Sequence, residues 1–152
     1  MSRLIPALVL IILTALPAQG QRRSEPPFVR VQAGVVGWYG GQLALQVWPV
    51  NFGFTARVMR GFSPSFLEAD ALVHIGPPQI NLYGGGGMRR SGPKEDDKIG
   101  RIWVAGVELN TASGLHPAGW GLWVDYHRPL GKESDATRGF TVGLNFSAAL
   151  GF

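Results

Sequence analysis

The sequence of 152 residues contains no cysteine, which excludes a disulfide framework, a thiolate metal site and a lipid-modified N-terminal cysteine. Charged residues are also scarce, at 16%, whereas about 25% is usual for a soluble domain. The 22 glycines and 11 prolines disfavour long helices. The formal net charge of +4 is spread along the chain without a basic patch, so the sequence does not indicate a nucleic-acid-binding protein.

No hydrophobic run reaches the roughly 20 residues that a spanning helix needs. The most apolar run covers residues 4–16, with Arg3 before it and the small residues Ala18 and Gly20 after it. A short positive start, an apolar stretch and a small-residue site are typical of a secretory signal, here cut after Gly20. The alternative is an uncleaved membrane anchor, which the shortness of the run disfavours.

The C-terminal segment, residues 138–152, alternates strictly between apolar residues and small or polar ones. A period of two is the spacing of a β-strand with one apolar face. This face continues to the last residue of the chain, where a soluble protein would rarely place an aromatic side chain. The apolar positions are Phe140, Val142, Leu144, Phe146, Ala148, Leu150 and Phe152.

The same alternation recurs along the chain and predicts eight strands of about ten residues, long enough to cross a bilayer at a tilt. The predicted fold is all-β, an up-and-down antiparallel barrel. Its earlier strands are 28–39, 42–49, 52–60, 66–76, 79–86, 101–110 and 119–128. The predicted connections on one side are 40–41, 61–65, 88–98 and 129–137, and those on the other side are 49–51, 76–79 and 111–118.

The strand faces opposite the apolar ones carry nearly all the charge of the predicted strands. A barrel of about eight strands is only wide enough to be filled by its side chains, so these residues should form a paired interior network. We interpret the network as structural packing, with a proton or ion path as the alternative. Its predicted members are Arg30, Arg57, Glu68, Asp70, His74, Glu108, Asp125 and His127.

Alternation does not separate a membrane barrel from a soluble lipocalin-like barrel, which places its apolar face inward. Aromatic residues near strand ends favour the membrane barrel, since they predict two belts at two membrane interfaces. One predicted belt contains Phe28, Trp48, Phe52, Phe54, Trp120 and Phe152. The other contains Trp38, Tyr39, Phe62, Phe66, Trp103 and Phe140.

The N-terminal signal and the alternating C-terminal segment that ends in Phe152 resemble those of small eight-stranded bacterial outer-membrane barrels of the OmpA-transmembrane, OmpX and opacity-protein type. The resemblance implies a signal peptide at 1–20, a short periplasmic tail at 21–27 and a porin-like outer-membrane barrel at 28–152. It implies a structural or surface-interaction role in the cell envelope through the outward loops. The implied insertion signal consists of Phe140, Val142, Leu144, Phe146, Leu150 and Phe152.

The resemblance also implies the partners. They are outer-membrane lipid, the assembly machinery that reads the C-terminal strand, and a surface ligand of loop 88–98.

One pair of residues raises the question of catalysis. Asp125 and His127 share a strand face, so the carboxylate could orient the imidazole. Small outer-membrane barrels that act on lipid, such as deacylases, use a histidine with a serine, but the nearest loop serine here is Ser134. We therefore predict no enzyme activity. A lipid-modifying enzyme and a soluble lipocalin-like carrier stay open as alternatives.

No cofactor or metal is predicted. His74 and His127 lack the spacing of a zinc site. The glycine run 84–87 lacks the Lys-Ser/Thr of a phosphate-binding loop, and we interpret it as a twisted strand end.

Overall fold

The computed structural model describes residues 27–37, 40–49, 52–62, 65–91, 98–130 and 139–151. They form a closed antiparallel barrel in which each strand pairs with the next and the last pairs with the first. The predicted all-β fold and up-and-down topology are confirmed. No helix among the described residues is long and apolar enough to span a membrane. The predicted signal at 1–20, residues 21–26 of the predicted tail at 21–27, and Phe152 lie outside the described residues.

The eight strands lengthen along the chain from 9 to 13 residues. They are β1 Phe28–Val36, β2 Gly40–Trp48, β3 Phe52–Phe62, β4 Ser65–Ile75, β5 Ile80–Ser91, β6 Lys98–Asn110, β7 Ala118–Leu130 and β8 Gly139–Gly151.

The connections lie at two rims. We call the end with connections 37–39, 63–64, 92–97 and 131–138 the loop rim, and the end with connections 49–51, 76–79 and 111–117 the turn rim.

Burial alternates along the strands, and it shows which face points outward. Apart from Ser65, Tyr126 and four arginines near the loop rim, the outward positions of the described strands hold glycine or an apolar residue. Several are largely exposed, among them Ile75 at 70% and Leu150 at 72%. The inward positions hold the charged and amide side chains. The barrel is thus apolar outside and polar inside.

Several predicted connections are wrong because the strands continue further than the alternation of the sequence indicates. Residues 88–91 belong to β5 and Lys98 begins β6, so the predicted loop 88–98 is reduced to residues 92–97. Residues 40–41 pair with β1, and the turn before them contains Gly37 with a positive φ of 54°. The strands also include parts of two other predicted connections, namely residues 61–62, 65 and 129–130. These residues extend existing ladders of backbone hydrogen bonds.

The prediction that the glycine run 84–87 is a strand end is wrong, because the run lies in the middle of β5. A Cβ on Gly85 would collide with the backbone carbonyl of Ala71 on β4, whereas one on Gly84 or Gly86 would meet no atom closer than 3.4 Å. The backbones of β4 and β5 approach closely at Gly85. The absence of a side chain at this inward position allows that approach.

Large aromatic side chains fill the barrel opposite glycines on neighbouring strands. A Cβ on Gly53 would lie 2.7 Å from the Trp48 ring, and one on Gly106 would lie 2.6 Å from Tyr83. In the same way, Phe66 covers Gly61, and the Trp123 ring covers Gly143. Each glycine makes room for a ring that lies across its strand, which is a known means of stabilising glycine in sheets.

This packing corrects part of the predicted aromatic belts. Phe28 and Trp48 are 1% exposed and Phe66 is 6% exposed, so all three point into the barrel and not toward a membrane interface. The physical reason is space, because small side chains and glycines leave room that these rings fill. Trp38, Tyr39 and Phe152 lie outside the described residues. The other predicted belt residues are exposed on the outer face, namely Phe52, Phe54, Phe62, Trp103, Trp120 and Phe140.

Candidate functional site

The interior contains two clusters of polar side chains, and the one near the turn rim is centred on the Glu108 carboxylate. Glu108 is 2% exposed and accepts hydrogen bonds from Gln32 at 2.5 Å and from Gln46 and Asn110 at 3.1 Å. The Arg30 guanidinium forms an ion pair with it at 3.2 Å. The four donors come from β1, β2 and β6, so this carboxylate ties opposite sides of the barrel together.

Arg30 also attaches the turns of the turn rim to the interior. Its Nη1 donates to the carbonyl of Ala112 at 2.7 Å and to that of Pro78 at 3.2 Å. Ala112 and Ser113 are fully buried, so this part of connection 111–117 folds into the barrel end, while residues 115–117 stay exposed. The Asn110 side chain accepts a hydrogen bond from the Ala112 amide at 2.9 Å. The turn rim is closed by the protein's own backbone.

His74 lies between the two clusters with both ring nitrogens engaged. Nδ1 is 2.6 Å from the Asn81 side-chain oxygen and Nε2 is 2.7 Å from the Thr55 hydroxyl. The amide oxygen can only accept, so Nδ1 carries the proton, and in the neutral ring Nε2 accepts from the Thr55 hydroxyl. The ring also packs against Trp48 and Tyr83, with centroids at 5.5 Å and 4.9 Å. This is the environment of a structural histidine.

The second cluster, near the loop rim, is centred on Arg57. Its guanidinium forms ion pairs with Asp70 at 2.8 Å and with Asp125 at 2.6 Å. The Tyr83 hydroxyl donates to Asp125, and the Trp123 ring lies under the guanidinium at 4.9 Å. Two carboxylates and two aromatic rings from β4, β5 and β7 therefore hold one arginine of β3.

Glu68 is the least satisfied group in this cluster. It is fully buried, and its two oxygens have no hydrogen-bond partner among the described residues. Ion-pair contacts reach it only at longer range, from Arg89 at 3.6 Å and from His127 at 3.5 Å. One oxygen of Asp70, two residues along the same face, also lacks a partner. A water molecule or a shared proton between these carboxyl groups would satisfy both.

The Asp125–His127 pair is formed, with His127 Nε2 3.2 Å from the carboxylate. Among the described side chains, no hydroxyl hydrogen-bonds to this imidazole. The buried hydroxyls of Thr55 and Ser147 have other partners, His74 and two asparagines. Ser134 lies outside the described residues. The described geometry therefore shows an oriented histidine without a nucleophile beside it.

The interior pocket between the two clusters offers little space for a ligand. The pocket between the two clusters, which is bordered by Gln42, Arg57, His74, Tyr83 and Glu108, has a volume of about 10 Å³. That is room for roughly one water molecule. Among the described residues, no group of three or more acidic, histidine or cysteine side chains is arranged to hold a metal ion.

The structure places all the predicted network residues inside the barrel and joins them through the two clusters. Sequence reasoning missed further interior partners, although their alternation with apolar residues could have indicated them. Arg89 was missed for another reason, because its segment was assigned to a loop. The missed residues are Gln32, Gln46, Asn81, Tyr83, Arg89, Asn110, Trp123, Asn145 and Ser147.

Five residues of the predicted insertion signal share the outward face of β8, and Phe152 lies outside the described residues. Phe140 and Leu150 are each 72% exposed and Phe146 is 65% exposed. Val142 and Leu144 are also exposed, and β8 closes the barrel by pairing with β1. The structure thus presents a continuous apolar strip at the closing seam, up to Gly151.

Three comparisons with known proteins found no match, whether among protein-family models, curated proteins or solved structures.

Proposed function

We propose that this protein is a small outer-membrane β-barrel with a side-chain-filled interior, which acts as an envelope or surface-interaction protein through its loop-rim connections. The observation that carries the proposal is the inversion of polarity, with apolar residues outside and paired charges inside. Monomeric soluble proteins rarely expose a contiguous apolar patch larger than a few hundred Å². Here the apolar surface surrounds the barrel, and hydrocarbon is the solvent that such a surface fits.

The strand dimensions support the same assignment. The strands contain 9–13 residues, and a tilted transmembrane strand needs about 9–11. Closure of the barrel also leaves no unpaired strand edge, which a bilayer does not tolerate.

The interior supports a structural role. A lipocalin-like carrier needs an apolar cavity for its ligand, whereas the described interior is charged and the pocket between its two clusters has room for about one water. A deacylase-like enzyme needs a nucleophile beside His127 and access for a lipid. The Asp125 carboxylate is instead occupied by Arg57 and Tyr83.

Trypsin added to intact cells tests the location and the orientation together. Residues 92–97 and 131–138 connect strands at the loop rim and contain Lys94 and Lys132. We expect cleavage at these lysines. Arg89 and Arg90 should be protected, because they lie within the paired strand β5.

Two outcomes would contradict the proposal in different ways. Cleavage of Lys94 and Lys132 only after the outer membrane is permeabilised would invert the proposed orientation. Recovery of the protein in the soluble fraction would overturn the membrane assignment itself.

A further inference from the structure

Charge on the outer face of the described strands is confined to four arginines near one end of the barrel. We call them the arginine rim: Arg60, Arg90, Arg101 and Arg128. All four are exposed, and each lies within three residues of the end of its strand at the loop rim. The four acidic residues of the described chain, by contrast, all point inward, namely Glu68, Asp70, Glu108 and Asp125.

The strand register makes these arginines neighbours. Arg90 pairs with Ile99 and Arg101 pairs with Met88, so Arg90 and Arg101 are diagonal neighbours on β5 and β6. Arg101 and Arg128 have the same relation on β6 and β7. Such diagonal residues lie about 7–8 Å apart.

Arg60 extends the row from the other side. It and Arg90 both pair with Leu67, which places them two strand spacings apart, or about 10 Å. The arginine rim therefore spans β3 to β7 as one band.

Apolar side chains surround this band. Leu67, Ile99 and Leu130 are exposed on the same face, and Trp103 pairs directly with Arg128. Arginine at such positions can lay its stem on apolar surface and extend its charged end to the headgroups. The Arg60 guanidinium lies over the exposed Phe62 ring at 5.5 Å. Four guanidinium groups in one band give this boundary a positive potential, which attracts anionic headgroups.

Among the described residues, the turn rim carries no such band. The outward strand residues nearest the turn rim include Phe52, Ile75, Leu109, Trp120 and Leu150, all apolar. In the described turns at that end, the only ionisable side chain is that of His116. Interfacial anchoring alone would apply equally to both rims, so the asymmetry indicates two leaflets of different headgroup chemistry.

We infer that the arginine rim binds phosphate-bearing lipid headgroups in the leaflet that surrounds the loop rim. The inference rests on the proposed membrane location. Guanidinium groups bind phosphate oxygens in bidentate geometry and remain charged at any physiological pH. A band of four can hold more than one phosphate, which suits a headgroup with several phosphates or several lipids side by side.

The test uses bilayer nanodiscs of phosphatidylcholine that contain a minor fraction of lipid A. The protein is inserted, and the lipid A bound to the barrel is quantified after detergent exchange. We expect severalfold enrichment of lipid A over its bulk fraction for the wild-type chain. The variant R60Q/R90Q/R101Q/R128Q should lose most of that enrichment, and R60K/R90K/R101K/R128K should retain a large part, because a point charge still attracts phosphate.

The remaining outcomes separate the alternatives. Equal enrichment in the glutamine variant would overturn the inference, as would displacement of lipid A by millimolar inorganic phosphate.

Connections 92–97 and 131–138 contain acidic residues of their own. If these acidic residues were the main partners of the arginine rim, the glutamine variant would lose as much thermal stability in neutral detergent as in lipid A discs. That result would also overturn the inference. Failure of the wild-type chain to enter any disc would overturn the proposed function, whereas entry without enrichment would overturn this inference alone.

Discussion

Replacement of Glu108 by leucine is expected to lower the free energy of unfolding by about 3–5 kcal/mol, the usual cost of removing one partner of a buried ion pair. The change leaves the Arg30 guanidinium without its carboxylate at the closed end of the barrel. It also removes the acceptor for the amides of Gln32, Gln46 and Asn110. Equilibrium unfolding in urea, in lipid vesicles, measures the effect.

A double-mutant cycle with Arg30→Met separates the ion pair from general damage to the packing. The two single variants should each be strongly destabilised, and the double variant should lose clearly less than their sum. Strict additivity would show that Arg30 and Glu108 do not interact as the structure indicates.

Replacement of Val124 by arginine is expected to cost about 2–4 kcal/mol in a bilayer, because the new charge would lie in hydrocarbon near mid-depth. Val124 faces outward on β7 between Val107 and Val142 of the neighbouring strands. Leu130→Arg is the matched control, since it lies on the same face at the loop rim. There the same charge should cost only about 0–1 kcal/mol.

The comparison of the two arginine variants is made by unfolding in vesicles of one lipid composition. Equal costs at positions 124 and 130 would contradict a gradient from hydrocarbon to headgroup. A negligible cost at position 124 would show that this face meets water.

The barrel could be predicted from the sequence because period-two alternation is a local property of each strand. In β4, alternate residues from Leu67 to Ile75 are apolar, and this alone defines an outward face. Strand ends were less predictable. Residues 88–91 contain two arginines in succession, which is typical of a loop. In the structure Arg89 points inward toward Glu68 and stacks on Phe66 at 4.1 Å, and the sequence alone does not indicate these contacts.

The interior could be predicted as a set of residues but not as a set of contacts. Arg57 and Asp70 are directly opposite each other in the strand register, and only the register reveals the pair. The same holds for the pairing of Tyr83 with Gly106 and of Trp123 with Gly143. Trp48 and Phe66 point inward for the same reason, since each ring packs against a glycine of a neighbouring strand. The sequence alone had placed both in a membrane belt.

The most direct test of the central claim is whether lipid chains touch the outer face of the barrel. The chain has no cysteine, so Ala71→Cys introduces a single thiol at an exposed outward position in the middle of β4. His116→Cys provides a control on the exposed turn at the turn rim. Each variant carries a fluorophore and is reconstituted in vesicles with lipids brominated on their acyl chains. The account predicts strong quenching at position 71 and little at position 116, whereas an unquenched fluorophore at position 71 would contradict it.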